Sequence, residues 1–238
     1  MTLSVIDGDV FLYMSMWGCD TLKEAQDKFN LILEENLEST FSTDYCMAFG
    51  GPNNFRVDLH PGYKGHRKKN AKADWFDDLK LWASELPGSH LCDGFEADDL
   101  VRIWALEADA AGKDRVVITV DKDLDCIPGS HWNPRKRELY QVEESYAEYF
   151  YWKQVLMGDS VDAIPGIPKC GPVKADKLLY GLTDHKELKA AVCRAYHVHY
   201  GEDGYEAMIW NGRLIHIWRF MDDHFKVKRE SYDQAIKG

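Results

Sequence analysis

The sequence predicts an α/β fold: a central, mostly parallel sheet with flanking helices, continued by a C-terminal helical region. Two observations carry this. Apolar, β-branched runs that end in aspartates, "LSVID" and "RVVITVD", alternate with segments of helical period. From Glu143 onward only helical patterns remain. Strands alternating with helices imply parallel pairing through right-handed crossovers, and such sheets bind ligands beyond the carboxyl ends of their strands.

The elements follow in order. "LSVIDGD" fits a buried strand feeding a loop. "TLKEAQDKFNLILEENL" is an amphipathic helix with Thr21 as N-cap and Glu24 closing a capping box. "DYCMAF" (44–49) reads as a second strand, ended by "GGPNN". Residues 50 to 72 show no apolar period, and 73–86 have helical spacing. "FEADDLVRIWALEADAAG" is a helix from about 96 to 111, with acids crowding the turn where the helix dipole favours them. "RVVITVDKDLD" is a strand at 116–120, and "HWNPRKRELYQV" a hairpin with Pro134 in its turn. The organisation expected is an α/β core over 1–142, with a basic segment at 56–86, and a helical region over 143–238.

At 238 residues and 45% hydrophobic, the chain can bury a real core. The longest early uncharged run, Val10 to Cys19, is too short to span a bilayer and lacks a basic flank, so neither a signal peptide nor a membrane helix is expected. Six scattered cysteines without a CxxC pair suit reduced thiols in a cytosolic protein. His197 and His199 alternate in "YHVHY", but a zinc site needs further soft ligands that the neighbourhood does not offer. The net charge of −11 argues at first against a nucleic-acid partner, although the placement of the acids matters more than their sum.

Four acidic groups fall where ligands would bind. Asp7 and Asp9 follow the first strand, and Asp121, Asp123 and Asp125 follow "VVITV". Glu96, Asp98 and Asp99 open a helix, and Asp159 and Asp162 precede a glycine-bearing turn. Any one group is ordinary at a helix start or in a solvated loop; the coincidence of four is not. Carboxylates gathered in one cleft raise one another's pKa unless cations offset them. An all-oxygen donor set points to Mg²⁺ or Mn²⁺ rather than zinc, and two such ions about 4 Å apart clamp a phosphodiester for in-line attack.

"FRVDLHPGYKGHRKKNAK" carries Arg56, Lys64, Arg67, Lys68, Lys69 and Lys72 with Tyr63 among them. Charge for phosphates and a ring face for a base suit a nucleic-acid strand, though a solvated basic loop has the same composition. "GIPKCGPVKADK" is a glycine-bearing turn between helices, with amides for a phosphate and Lys169, Lys174 and Lys177 beside them. Such contacts are sequence-independent. A Pro/Gly turn that merely joins helices is the plainer alternative.

Taken together, "IDGD", "FRVDLHPGYKGHR", "GFEADDL", "VDKDLD" and "GDSVDAIPGIPKCGP", in that order from residue 5 to about 175, resemble the motifs of the 5′-nucleases, or flap endonucleases. That family includes the 5′→3′ exonuclease domains of bacterial DNA polymerases and the free-standing exonucleases of bacteriophages, which the compact length resembles most. The resemblance implies a PIN-like 5′-nuclease core with a helix–three-turn–helix at about 150–180. It implies structure-specific hydrolysis of phosphodiesters at 5′ ends, flaps and nicks, and primer removal from RNA–DNA hybrids, with two Mg²⁺ for which Mn²⁺ can substitute. Asp7, Glu96, Asp98 and Asp123 then match ligands or close neighbours of the catalytic metal. Asp121, Asp159 and Asp162 match the second-metal group, with Asp99 between the sets. Lys64 and Arg67 match the basic residues at the base of the gateway for a 5′ end, with Tyr63 as the aromatic there and Lys68 and Lys69 as further DNA contacts. Gly166, Lys169, Gly171 and Lys174 match the DNA-binding turn, where carbonyls of Lys169, Cys170 and Gly171 would hold K⁺. A monomer in the cytoplasm of a bacterial host, beside replication proteins, is the implied setting.

Three departures stand out. Gly50 occupies a place where the family carries an aspartate, for which Asp9, Asp58 or water could substitute. Lys169 takes the first glycine place of the turn. Val173 stands where a lysine is expected, with Lys174 one place later. The short segment between Arg67 and Glu96 implies an open gateway. Two rival functions remain: a PIN-type ribonuclease, which lacks the downstream turn, and a structure-specific DNA-binding protein without hydrolysis.

Overall fold

The computed structural model describes residues 2–65 and 72–237. In chain order the elements are β1 (Thr2–Asp7), α1 (Gly8–Met16), α2 (Leu22–Ser39), β2 (Ser42–Phe49), α3 (Phe55–Leu59), α4 (Phe76–Ser84), β3 (Ser89–Leu91), α5 (Ala97–Ala110), β4 (Arg115–Ile118), β5 (Gly129–Asn133), β6 (Glu138–Val142), α6 (Glu144–Met157), α7 (Pro172–Leu178), α8 (His185–Tyr200), α9 (Gly204–Ile215) and α10 (Arg229–Lys237). A single 3₁₀ turn, Lys122–Cys126, follows β4. The chain divides into two compact units. Met1–Phe55, Lys68–Val142 and Ile217–Met221 form one; Arg56–Arg67, Glu143–His216 and Asp222–Gly238 form the other.

The first unit is a six-stranded sheet in the order β3-β2-β1-β4-β5-β6. β1 runs parallel to β2 and β4, β2 to β3 and β4 to β5; only β6 is antiparallel, closing the Pro134 hairpin. The chain builds outward from β1 to β3, then returns to place β4 on the other side of β1. The strand order therefore reverses between β1 and β4, where open α/β sheets form their binding crevice. Ile6, Phe11, Phe29, Met47, Phe49, Leu79 and Ile118 fill the core on the face covered by α1, α2 and α4. On α2, Thr21 Oγ1 accepts the Glu24 N–H at 3.3 Å and Glu24 accepts the Thr21 N–H, the capping box expected from sequence. α5 packs on β1, β2 and β4.

Two elements were not legible. α1 starts directly after Asp7, where a loop was expected, because Gly8 lets it lie on β2: a β-carbon there would come within 2.5 Å of the Phe49 ring. β3 is three residues long, without a β-branched residue to mark it.

The second unit is helical. α8 packs against α6, α9 and α10 around Trp152, Val155, Leu188, Tyr196, Met208 and Tyr232, and the buried Tyr196 hydroxyl donates to the Val155 carbonyl at 2.7 Å. Residues 56–65, expected within the α/β core, belong here. Arg56 explains why: it is 1% exposed and donates from Nε to the Leu214 carbonyl (3.0 Å) and from a terminal nitrogen to the His216 carbonyl (2.6 Å). It is a structural tie rather than a phosphate contact. Among the described residues no helix is long and apolar enough to cross a membrane, and none of the six cysteines is paired. His197 and His199 lie on a helix, two places apart and so on different faces.

Candidate metal centre and nucleic-acid interface

The sheet unit brings six of the expected acids to its carboxyl edge. β1 and β4 are in register at Ile6 and Ile118, so Asp7 and Thr119 leave adjacent strands side by side. The buried Thr119 hydroxyl donates to Asp7 Oδ2 at 3.0 Å and accepts the Asp121 N–H at 3.0 Å. Asp121 in turn caps the 3₁₀ turn, its Oδ1 accepting the Asp123 N–H at 2.9 Å. One hydroxyl thus fixes Asp7 and orients the "DKD" turn. Burial pushes Asp7 up to about 7, with the negative charges of Asp9 and Asp121 adding to it and the Thr119 bond opposing.

The charges of the remaining acids act on two buried thiols. Cys92 is pushed up to about 12 by burial, then by Asp99, Asp9 and Asp98. Cys126 is pushed up to about 11 by burial against the opposing Arg102 charge, with Asp123 and Asp98 adding. Asp7, Asp9, Asp98, Asp99, Asp121 and Asp123 therefore share one electrostatic neighbourhood contributed by β1, α1, α5 and the turn after β4. Among the described residues, no three His, Cys, Asp or Glu side chains stand close enough to hold one ion as placed.

Glu96 and Asp99 do not simply share a helix face. Glu96 is the N-cap of α5, and its N–H donates to Asp99 Oδ2 at 3.0 Å. Asp99 is fully buried, and its Oδ1 accepts the Trp218 N–H at 2.9 Å. Both its oxygens hold main chain, which makes Asp99 the brace of the helix start. Asp125 turns away, accepting from the Tyr140 hydroxyl at 2.9 Å.

The helical unit carries the other expected residues. Asp159 and Ile164 exchange main-chain hydrogen bonds across a tight loop, and Asp159 Oδ1 accepts the Val161 N–H at 2.7 Å. Asp162 is 5% exposed. It meets Lys64 twice: its carbonyl accepts the Lys64 N–H at 3.1 Å, and its Oδ2 lies 3.9 Å from Lys64 Nζ. Lys64 has φ +56, so this approach holds it in the left-handed region. Tyr63 corrects its expected role. It is 6% exposed and packed against Ile164 and Leu214, which leaves no ring face for a base. Arg67, Lys68 and Lys69 lie outside the described residues.

In the turn between α6 and α7, Gly158 and Gly166 lie back to back with φ of +68 and +58. A β-carbon on Gly166 would come within 2.3 Å of Gly158 N, and one on Gly158 within 2.2 Å of the Ile164 carbonyl oxygen. Gly166 donates its N–H to Asn211 Oδ1 (2.9 Å), and its carbonyl accepts from Tyr200 (3.0 Å). Its amide is committed inside the unit, so its expected phosphate contact is corrected to a structural one. Lys169 is exposed with φ +60, in the left-handed region that favours glycine. The Gly171 carbonyl accepts the Lys174 and Ala175 N–H groups as the N-cap of α7, which already engages one of the oxygens expected to hold K⁺. Lys174 borders a cavity of about 290 Å³ between α7 and α8, with Ile167, Leu178, Arg194 and Val198.

Sequence reasoning missed two residues at the acidic edge, Thr119 and Lys80. Lys80 Nζ lies 3.1 Å from Asp9 Oδ1. A hydroxyl between a β-branched strand and an "xDxD" turn was the available signal for Thr119.

No family model matches the chain. Among curated relatives, it is 32% identical over 145 residues to DNA polymerase I of Rhizobium leguminosarum, covering 55% of this chain and 14% of that protein. It is 29% identical over 136 residues to flap endonuclease Xni of Shewanella amazonensis, covering 52% and 54%. The chain thus spans a small part of the polymerases it matches and about half of Xni. Among solved structures, the bacteriophage T5 D15 protein co-crystallised with metal ions superposes with a TM-score of 0.75 at 18% identity, over 100% of this chain and 97% of that one. The T5 D15 flap endonuclease in a pseudo-enzyme-product complex with DNA and metal ions gives 0.72 at 17%, with the same coverage. The chain has the fold of that T5 protein.

Proposed function

We propose that this protein is a divalent-cation-dependent, structure-specific 5′-nuclease, cleaving phosphodiester bonds at 5′ ends, flaps and nicks of DNA and removing RNA from RNA–DNA hybrids. The observation that carries it is the Asp7–Thr119–Asp121 arrangement at the point where the strand order reverses. The shared T5 fold and the sequence relatives, one of them named a flap endonuclease, support the same reading.

The donor chemistry suits a hard cation, although no three of the described side chains converge on one ion as placed. The donors are all carboxylates, which suit Mg²⁺ or Mn²⁺, and Asp7 is driven toward neutrality by burial and by neighbours of its own sign, a strain that positive charge relieves. Asp7, Glu96, Asp98, Asp121 and Asp123 would hold it; Asp99 braces the helix that presents Glu96 and Asp98. When bound, divalent ions polarise the scissile phosphate and acidify water. Thr119 keeps Asp7 aimed by donating to its Oδ2, and the Val10 N–H donates to the same carboxylate. Asp159 and Asp162 belong to the second-metal set in this reading. Lys64, held by the Asp162 carbonyl, supplies fixed positive charge to a phosphate. Lys169 and Lys174 contact backbone without reading bases, which suits a substrate recognised by structure. K⁺ at the α6–α7 turn remains part of the proposal, with Lys169 and Cys170 carbonyls as donors. So do a monomeric state and a cytoplasmic setting beside replication proteins.

The test is Asp123→Asn assayed on 5′-labelled flap, nicked and RNA-primed duplexes with and without Mg²⁺. Cleavage should fall by about a thousandfold or more while binding to a forked duplex survives. Undiminished hydrolysis in that variant refutes the assignment.

A further inference from the structure

α8 carries two apolar lines. Leu188, Val192 and Tyr196, at i, i+4 and i+8, are fully buried in the core of the helical unit. Ala191, Ala195 and Val198, at i, i+4 and i+7, run beside them, and Val198 is 84% exposed. With Leu178 of α7 and the buried Ile167, this second line forms the apolar wall of the cavity of about 290 Å³ between the two helices. The rest of the wall is polar. Lys174, Arg194 and His199 line it and no Asp or Glu does, in a chain with 40 acids against 29 Lys and Arg. None of the three has a carboxylate partner among the described residues: Arg194 donates to the Ala235 main-chain carbonyl at 3.3 Å, and the His199 ring meets Tyr200 edge-on.

We propose that this cavity takes an apolar side chain of an acidic peptide segment from a partner protein, with the segment's carboxylates on Lys174 and Arg194 and His199 as a further hydrogen-bonding group. Size points to a side chain. Cavities that enclose a whole small molecule run from about 300 to 1,000 Å³, and this one sits at the bottom of that range beside an exposed apolar lip that a polypeptide can continue across. Charge points to acid. A chain at −11 repels an acidic segment in general, and a lining without carboxylates removes that repulsion locally. Nucleic acid fits less well. The lining has no Phe, Tyr or Trp on which a base could stack, and a phosphate would meet Lys174 and Arg194 without filling the apolar floor. Burial of the anchor supplies the affinity, and pairing at the rim selects for acid. Lys174 is shared with the proposed DNA contact, so the segment competes with backbone phosphate for that one side chain.

The experiment is selection of a phage-displayed random peptide library on the immobilised full chain, with the recovered peptides then titrated by fluorescence anisotropy. Peptides that set a Leu, Ile, Phe or Trp beside Asp or Glu should be enriched. Arg194→Glu and Val198→Glu, both at exposed positions, should each weaken their binding about tenfold or more, and Ala195→Phe should do the same by filling the cavity. Folding of each variant is checked by circular dichroism. No enrichment overturns the proposal, as does enrichment of peptides without acidic residues. So do recovered peptides that bind folded Arg194→Glu and Val198→Glu as tightly as wild type. Binding of a forked duplex tests the other occupant. Ala195→Phe and Val198→Ser change no charge and should leave it within about twofold of wild type. A fall that matches the loss of peptide binding would make the cavity a nucleic-acid contact and overturn the proposal.

Discussion

Asp7→Asn should make the metal-free protein more stable at alkaline pH, although it removes a proposed catalytic ligand. Asp7 rises from 3.8 to about 7 in the folded chain, chiefly through burial. A carboxyl whose folded pKa lies above its unfolded value binds its proton more tightly in the native state. Its stabilising contribution is full below 3.8 and is lost as pH rises toward 7. At 1.36 kcal/mol per pH unit the whole loss is about 4 kcal/mol, and the part falling between pH 5.5 and 8.0 is about 2 kcal/mol. Asparagine carries no charge and can still accept the Thr119 hydroxyl. Urea unfolding in EDTA at the two pH values gives the measurement, as the stability of Asp7→Asn minus that of wild type. The difference should grow by about 2 kcal/mol in favour of the variant from pH 5.5 to 8.0. Titrating groups that do not interact with Asp7 cancel in it. Saturating Mn²⁺ should restore wild type at pH 8.0 and not the variant, since an ion bound only to the native state stabilises it by mass action. A pH-independent difference refutes the account of Asp7.

Gly166→Ala should cost at least about 2 kcal/mol in urea unfolding, because its β-carbon meets main chain at φ +58, whereas Gly171→Ala, with open space and ordinary φ, should be nearly neutral. Arg56→Met should destabilise by about 2–4 kcal/mol by stranding the Leu214 and His216 carbonyls, and leave the salt dependence of DNA binding unchanged; Lys169→Ala should lower that salt slope by about one. His131 is pushed down to about 4, mainly by burial, so its neutral form is the folded one: stability should fall as pH drops from 6.5 toward 4, and His131→Gln should flatten that limb in acid denaturation.

Much of the sheet unit was legible because its signals are local. Thr21 and Glu24 name a helix start three residues apart, and the β-branched run before Asp121 names a strand. Asp7 and Asp121 were legible as neighbours because strand ends in a parallel sheet must emerge together. What failed depended on partners far along the chain. Arg56 and Tyr63 look like parts of a basic, aromatic nucleic-acid loop, yet contacts with Leu214, His216 and Ile164 bury them. Gly166 looks like a phosphate amide until Asn211, 45 residues on, claims it. Asp99 looks like a ligand, but the Glu96 and Trp218 N–H groups claim its two oxygens. Composition reports a residue's chemistry; only the fold reports whether that chemistry has already been used.

The five residues Ile217–Met221 return to the sheet unit after α9. Trp218 stacks on Phe55 and Phe95 with ring centroids 4.9 and 5.6 Å away, and its N–H completes Asp99; Arg102 donates to the Ile217 carbonyl at 2.9 Å. During synthesis the acid-bearing edge therefore waits, its α5 brace half made, until the ribosome has delivered residue 218 through the exit tunnel. A nascent chain stalled earlier would carry every proposed ligand and lack the Trp218 main-chain N–H that holds Asp99. The start of α5 is in this way completed only after the whole sheet and α6 to α9 have been made.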